Sequence, residues 1–142
     1  MADIRHYLLI KAPVEKVYRA ITEPEGLAGW WTPEVKASPE VGFVNEFRFG
    51  NDYFPKMEVV RLEMNKRMDW DCLEGDREWV GTHLSFELED KDGKTGLLFT
   101  HAGWKDSTLF FASCSFDWGF YLNSLRQLCT TGKGSPYPSK NQ

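Results

Sequence analysis

The longest amphipathic pattern in the chain lies near its C-terminus, in residues 108–130. On a helical wheel centred on Trp118, the apolar side chains fall on one broad stripe, which predicts a helix of about six turns with one buried face. The stripe consists of Phe110, Phe111, Cys114, Trp118, Tyr121, Leu122, Leu125, Leu128 and Cys129. A stripe with this many aromatic residues requires a large apolar partner.

The ends of this helix are predicted from residues that satisfy free backbone groups. Asp106 or Ser107 is the expected N-cap, because a short oxygen-bearing side chain accepts from the first N–H groups. Gly132 is expected to end the helix, since glycine tolerates a left-handed conformation. Residues 113–115 have weaker helix propensity, so we expect a break or frayed turn there.

The N-terminal part of the chain predicts one strand followed by two short helices. Residues 4–10 are nearly continuously apolar and indicate a strand. Apolar residues then recur at helical spacing from Val14 to Ile21, which predicts an amphipathic helix ending near Thr22. A second short helix is expected at residues 27–31.

From residue 32 onward the pattern alternates with a period of two, which indicates half-buried strands. The predicted strands are residues 43–49, 53–62, 68–72, 80–90 and 95–104. In the third of these, Asp69 and Asp71 are expected to face solvent. In the second, Met57, Val59 and Arg61 are expected to share one face.

The Asp92-Gly93 pair predicts a two-residue type I′ hairpin, because both positions accept positive φ. With a two-residue loop, Phe86 faces Phe99 and His101 lies on the apolar face of the sheet, whereas a slip of one residue would reverse this. The expected architecture is an α+β domain in which an antiparallel meander is covered by the long helix. We expect one domain over residues 1–132 and a mobile tail over residues 133–142, which is rich in Gly, Pro, Ser and Lys.

Composition narrows the class of function. The net charge of −4 and pI of about 5.4 provide no basic surface for nucleic acid. The N-terminus lacks the apolar region of a signal peptide, and no apolar run approaches the ~18 residues of a membrane span. The three cysteines form no CxxC pair and are expected to be buried thiols. A cytoplasmic protein with no membrane insertion is the simplest interpretation.

Four segments, in order and spacing, resemble the domain shared by homologues of the activator of the heat-shock-protein-ninety ATPase, within the START-like (SRPBCC) superfamily. The segments are IKAPVEKVYRAITEPEGLAGWW, MEVVRLEMNKRMDWDC, WVGTHLSFELEDKDGKTGLLFTHAGW and WGFYLNSLRQL. The resemblance extends over about residues 4–132. It implies a helix-grip (START-like, Bet v-like) fold, in which a curved sheet wraps around the C-terminal helix and often encloses an apolar cavity.

The resemblance also implies possible activities. Members of the superfamily bind lipids or polyketide-like molecules, and some catalyse cyclisation or related steps. Co-chaperone members stimulate the chaperone's ATPase, an activity that also depends on a separate N-terminal domain. We expect no such domain in this chain, so a chaperone partner is not favoured.

The candidate ligand-binding residues are inward-facing aromatic residues with two polar anchors among them. They are Trp30, Asn45, Phe47, Phe49, Met57, Trp70, Phe86, Phe99, His101, Trp118 and Tyr121. Asn45 either anchors a ligand or is satisfied by the backbone at a strand irregularity. His101 is either a donor or base in the cavity or a hydrogen-bonded core histidine. Most of the six tryptophans are expected in the core, and a subset at the cavity.

The favoured hypothesis is binding of a small hydrophobic molecule without catalysis. The alternatives are a cyclase- or hydrolase-like enzyme acting through His101, and a chaperone-interacting stress-response protein. No catalytic residue, metal site or cofactor is assigned, because the three histidines show no clustering and no serine lies in a nucleophile motif. Phe116 and Phe120 lie on the opposite side of the long helix, where they are either covered by other segments or form a homodimer surface.

Overall fold

The computed structural model describes residues 1–138 of the chain. Its elements, in chain order, are β1 (Ala2–Ile10), α1 (Val14–Thr22), α2 (Pro24–Trp30), β2 (Val35–Lys36), β3 (Val44–Phe47), β4 (Lys56–Glu63), β5 (Arg67–Glu74), β6 (His83–Lys91), β7 (Lys94–Trp104) and α3 (Leu109–Thr131). The predicted order of a strand, two short helices, a run of strands and one long helix is confirmed. None of these helices combines the length and apolarity needed to cross a membrane.

The strands form one seven-stranded antiparallel sheet in the order β1-β7-β6-β5-β4-β3-β2. Strands β2 to β7 form a meander, and β1 pairs with β7 at the edge. Helix α3 packs against α1, α2 and β1, and its apolar side faces the sheet, where Trp118 packs on Phe99. The α+β helix-grip fold is therefore confirmed.

The β6–β7 hairpin has the predicted register, with Phe86 opposite Phe99 and Leu84 opposite His101. Asp92 and Gly93 have φ angles of 55° and 85°, as a type I′ turn requires. His101 consequently lies in the interior, where it is fully buried.

Two strands depart from the expected pattern because the chain bends. Strand β3 ends at Phe47, and Phe49 forms only an isolated bridge with Tyr53. In β4 the pairing register shifts between Val59 and Arg61, so Arg61 is exposed while Val59 is buried. The prediction that Arg61 shares a face with Val59 is wrong, since a bulge changes the alternation.

The prediction that Asp69 faces solvent is also wrong, because the residue is only 3% exposed. Arg67 Nε donates to its carboxylate at 2.7 Å, and His83 Nε2 lies 2.9 Å from it. Asp71 is half-buried and pairs with His83. The alternation correctly places Asp69 on the face of β5 opposite to Met68 and Trp70. The side chains of Arg67 and His83 cover it there.

Helix α3 begins at Leu109, one residue later than a Ser107 cap and two residues later than an Asp106 cap would place it. Thr108 is the N-cap, and its Oγ1 accepts from the Phe111 N–H at 3.1 Å, so the prediction of Asp106 or Ser107 is wrong. The helix continues without interruption through residues 113–115, where a break was expected. Gly132 ends it with φ of 87°, as predicted.

The segment after α3 folds back onto the domain. The Ser135 N–H donates to Ser124 Oγ at 2.7 Å, and the Tyr137 N–H donates to the Trp31 carbonyl at 2.8 Å. The mobility of the tail stays a prediction, and residues 139–142 lie outside the described part of the chain.

Candidate functional site

A partly open cleft of about 410 Å³ lies between the N-terminal half of α3 and the loops at one end of the sheet. We call it the aromatic cleft. Its lining residues are Trp31, Phe49, Tyr53, Trp79, Phe110, Cys114, Asp117, Trp118, Tyr121 and Tyr137. Eight of these ten side chains are tryptophan, tyrosine or phenylalanine. They come from α3 and from segments outside the regular strands, so several parts of the chain must fold before the cleft exists.

Three indole rings that stack on one another line the aromatic cleft. Trp118 from α3 stacks on Trp31, at the end of α2, with ring centroids 5.2 Å apart, and on Trp79, in the β5–β6 connection, at 5.9 Å. The planes are inclined by 29° and 16° respectively. Trp118 thus sits between surfaces supplied by two distant parts of the chain.

Two polar atoms of the cleft-lining side chains are buried without a partner. Trp79 is 7% exposed, and neither its Nε1 nor the Oη of Tyr53 makes a hydrogen bond with any described residue. Burial raises the pKa of Tyr53. The phenol is therefore uncharged and keeps its proton to donate.

The ionisable groups of the cleft are poorly suited to nucleophilic chemistry. Burial raises the pKa of the Cys114 thiol to about 11, so little thiolate forms near neutral pH. Asp117 is exposed at its edge, and partial burial raises the pKa of its carboxyl. The cleft combines apolar walls with uncharged donors and one carboxylate at its edge.

His101 does not line the aromatic cleft, although it faces the interior. The Trp118 indole N–H donates to its Nδ1 at 3.2 Å, and its Nε2 lies 2.8 Å from Thr82 Oγ1. Burial lowers the pKa of the imidazole to about 3, which keeps it neutral. Of the two roles considered for His101, this arrangement matches a hydrogen-bonded core histidine and not a donor or base in the cavity.

Asn45 is likewise a buried residue with a backbone partner. It is 1% exposed, and its Oδ1 accepts from the Ser38 N–H at 3.3 Å. It does not line the aromatic cleft. The contact matches the interpretation of Asn45 as an amide satisfied by the backbone beside a short strand.

The other predicted ligand-binding residues divide into two groups. Phe49, Trp118 and Tyr121 line the aromatic cleft. Those that are buried in the packed core instead are Trp30, Phe47, Met57, Trp70, Phe86 and Phe99. Their direct contact with a ligand stays a prediction.

Sequence reasoning did not place Trp31, Tyr53, Trp79 or Tyr137 at the site, although all four line it. These residues lie in turns, connections or the C-terminal segment, where neither helical nor strand periodicity assigns a face. The only available signal was the number of tryptophans, which predicted that a subset would reach the cavity.

A second group of charged side chains lies away from the aromatic cleft. Burial lowers the pKa of His83, but hydrogen bonds to Asp71 and Asp69 outweigh it and raise the pKa above 6.5. Burial raises the pKa of Asp69, yet its bonds with Arg67 and His83 lower it overall. Within residues 1–138, no group of three or more His, Cys, Asp and Glu side chains is arranged to hold a metal ion.

The structure is a helix-grip domain with a partly open cleft between α3 and the loops at one end of the sheet. The family model described as "Activator of Hsp90 ATPase homolog 1-like protein" matches residues 11–130. The chain belongs to this family. No curated protein matches it in sequence.

Solved structures support the same assignment. The Aha1 dimer from Colwellia psychrerythraea is 38% identical, with a TM-score of 0.86 over 94% of this chain and 100% of that one. Protein MLL2253 from Mesorhizobium loti is 22% identical, with a TM-score of 0.79 over 89% and 96% of the two chains. DynU16, from the dynemicin biosynthetic locus, is 24% identical, with a TM-score of 0.79 over 95% and 49%. The last two likenesses concern the fold alone.

Proposed function

We propose that the chain binds a small, mainly apolar molecule of lipid-like or polyketide-like character in the aromatic cleft. The observation that carries this proposal is an opening of about 410 Å³ walled largely by aromatic side chains. Small-molecule sites generally measure roughly 300–1,000 Å³ and combine apolar walls with a few polar groups. The likeness of the fold to a protein from the dynemicin biosynthetic locus supports a ligand of this kind.

Binding without catalysis is favoured by the chemistry of the lining side chains. The Cys114 thiol is protonated near neutral pH, and the buried His101 lies outside the lining. A nucleophile paired with a general base would require both groups within hydrogen-bond reach. The enzyme hypothesis through His101 is therefore less well supported than ligand binding.

Native mass spectrometry tests the binding proposal. The protein is incubated with lipid and polyketide-like mixtures, desalted and examined for retained mass. Cys114→Trp should abolish retention, because the buried Cys114 side chain lines the opening and a larger one would fill it. Ser113→Trp is the matched control, since Ser113 lies next to Cys114 in α3 and its side chain is exposed. Retention of no compound by the unmodified protein would refute the proposal.

We also propose that two copies of the chain associate through the face of α3 that carries Phe116 and Phe120. Phe116 is 80% exposed, and Leu109, two helical turns earlier, is 91% exposed. Phe120 is half-buried and packs edge-on against Tyr121. The solved Colwellia psychrerythraea relative is a dimer, which supports self-association.

The cytoplasm is the compartment that we propose for this binding function. Cys72, Cys114 and Cys129 are all free thiols and all buried. Reduced cysteines are typical of proteins in a reducing compartment.

A further inference from the structure

We propose that the chain binds an extended, acidic peptide segment of another protein, which adds as a strand to the free edge of β1. The segment lies in a groove of about 190 Å³ between β1 and α3, which we call the edge groove. It is lined by residues 6–8 of β1 and by Gly119, Leu122, Asn123 and Arg126 of α3. No lining residue is shared with the aromatic cleft, so the proposal does not depend on the ligand proposed there.

Strand β1 is a long edge of the sheet with no neighbouring strand on its outer side. It pairs with β7 alone, and apart from that pairing the backbone of residues 3–9 makes no hydrogen bond with another described backbone group. The opposite edge, β2, has only two residues, whereas β1 has nine. Edge strands are commonly protected by lysine or proline, and β1 contains neither. Alternate N–H and C=O groups of β1 are therefore available to an incoming strand.

The edge groove is held open beside this strand. His6 Nε2 donates to the Ser115 carbonyl of α3 at 3.1 Å, which fixes the spacing between strand and helix. Gly119 contributes no side chain, and a β-carbon at that position would have only one neighbouring atom within 4 Å, His6 Cε1 at 3.8 Å. Leu122 is buried and forms an apolar floor. The space over Gly119 thus admits an apolar side chain of the incoming strand.

Two arginines determine the charge of the partner. Arg5 is exposed on β1, and Arg126 is exposed at the groove on α3. Neither forms a salt bridge with any described residue. The one carboxylate of β1, Asp3, already accepts from the Gly103 N–H at 3.1 Å. Glutamate or aspartate in the incoming strand would pair with these arginines, whereas lysine would be repelled.

The outward side chains of β1 add a preference for apolar residues. Tyr7 is 60% exposed and Leu9 is 41% exposed. Aromatic and β-branched residues directly opposite such side chains stabilise a pair of strands. The partner segment is therefore an extended stretch in which acidic residues are mixed with aromatic and β-branched ones.

Three synthetic peptides test the proposal by fluorescence anisotropy with the full chain. The acidic peptide TEVYVET should bind about tenfold more tightly than the basic peptide TKVYVKT, and about 0.5 M salt should reduce this difference. The peptide TEVPVET should bind least, because its central proline has no N–H to donate. In NMR spectra of the ¹⁵N-labelled chain, TEVYVET should shift the amide resonances of residues 3–9 and 119–126.

Variants of α3 assign the binding to the edge groove. Gly119→Leu should weaken binding of TEVYVET about tenfold, because the new side chain fills the groove while leucine favours the helix. Ser113→Leu is the matched control, since Ser113 is exposed on the same helix but does not line the groove. Arg126→Gln should weaken binding of TEVYVET about fivefold and should not weaken binding of TKVYVKT.

Each contrary result overturns a stated part of the proposal. Equal binding of TEVYVET and TKVYVKT would overturn the acidic partner, and equal binding of TEVPVET would overturn strand addition. Unchanged binding by Gly119→Leu would overturn the edge groove as the site. Amide resonances of β1 that shift on dilution of the unliganded protein would assign the edge to a second copy of the chain instead. No binding of TEVYVET at about 1 mM would overturn the whole proposal.

Discussion

The indole N–H of Trp118 donates a 3.2 Å hydrogen bond to Nδ1 of His101, and this bond joins the long helix to the last strand of the sheet. Because Nδ1 accepts, the neutral ring carries its proton on Nε2, which donates to Thr82 Oγ1 at 2.8 Å. The Thr82 hydroxyl in turn donates to the Trp79 carbonyl. This directional chain connects two of the tryptophan walls of the aromatic cleft through the interior of the protein.

The Trp118–His101 bond predicts coupled effects on stability. His101→Phe should lower the free energy of unfolding by about 1–3 kcal/mol, because the buried Trp118 donor loses its acceptor. In the double variant His101→Phe/Trp118→Phe, the loss should be smaller than the sum of the single losses by about 1 kcal/mol. Urea denaturation of the four proteins measures this difference.

A control cycle uses Trp30, whose indole N–H donates to the Ala20 carbonyl at 2.9 Å instead. Trp30→Phe and His101→Phe should be additive, since the two side chains share no hydrogen-bond partner. Additive losses for His101→Phe and Trp118→Phe would show that their bond contributes no coupling energy.

His101 also predicts a loss of stability in acid. Burial holds its pKa at about 3 in the folded protein, against 6.5 for the unperturbed group. Between these values the unfolded chain binds a proton that the folded chain does not, so the free energy of unfolding decreases as the pH falls from about 6.5 toward 3. The slope should reach about 1 kcal/mol per pH unit, and denaturant titrations over this range measure it.

His101→Gln and His83→Gln distinguish the two histidines. Glutamine at 101 can still accept from Trp118 but does not titrate, so the acid slope should become shallower. The pKa of His83 is raised, so its stabilising contribution is complete below pH 6.5 and is lost as the pH rises through its folded-state pKa. His83→Gln should therefore flatten the dependence of the free energy of unfolding on pH only on the side above pH 6.5. An acid slope unaffected by His101→Gln would contradict the assignment.

The exposed face of α3 predicts a concentration-dependent dimer. Phe116→Ser should raise the dimer dissociation constant about tenfold or more, because a central aromatic residue commonly dominates an interface. Sedimentation equilibrium measures the constant. Met64→Ser is the control, since Met64 is 78% exposed in the turn between β4 and β5, away from α3. A monomer at every concentration, or an equal effect of the two substitutions, would argue against this surface.

Local patterns in the chain were sufficient for most of the architecture. Apolar spacing along α3, the period of two in the strands and the Asp92-Gly93 turn each depend on nearby residues. The hairpin register followed from the turn, and it correctly placed His101 in the interior. Such features are predictable because backbone geometry determines which side chains share a face.

The aromatic cleft was decided by tertiary structure. Trp31, Tyr53 and Trp79 come from three separate connections and Tyr137 from the C-terminal segment, and no local period assigns them a direction. Asp69 lies at a position whose alternation predicts exposure, but Arg67 and the cross-strand His83 cover it. The sequence by itself determined the elements and the inward face of the sheet, because those follow from neighbouring residues along the chain. Which side chains surround an open space depended on how distant segments pack.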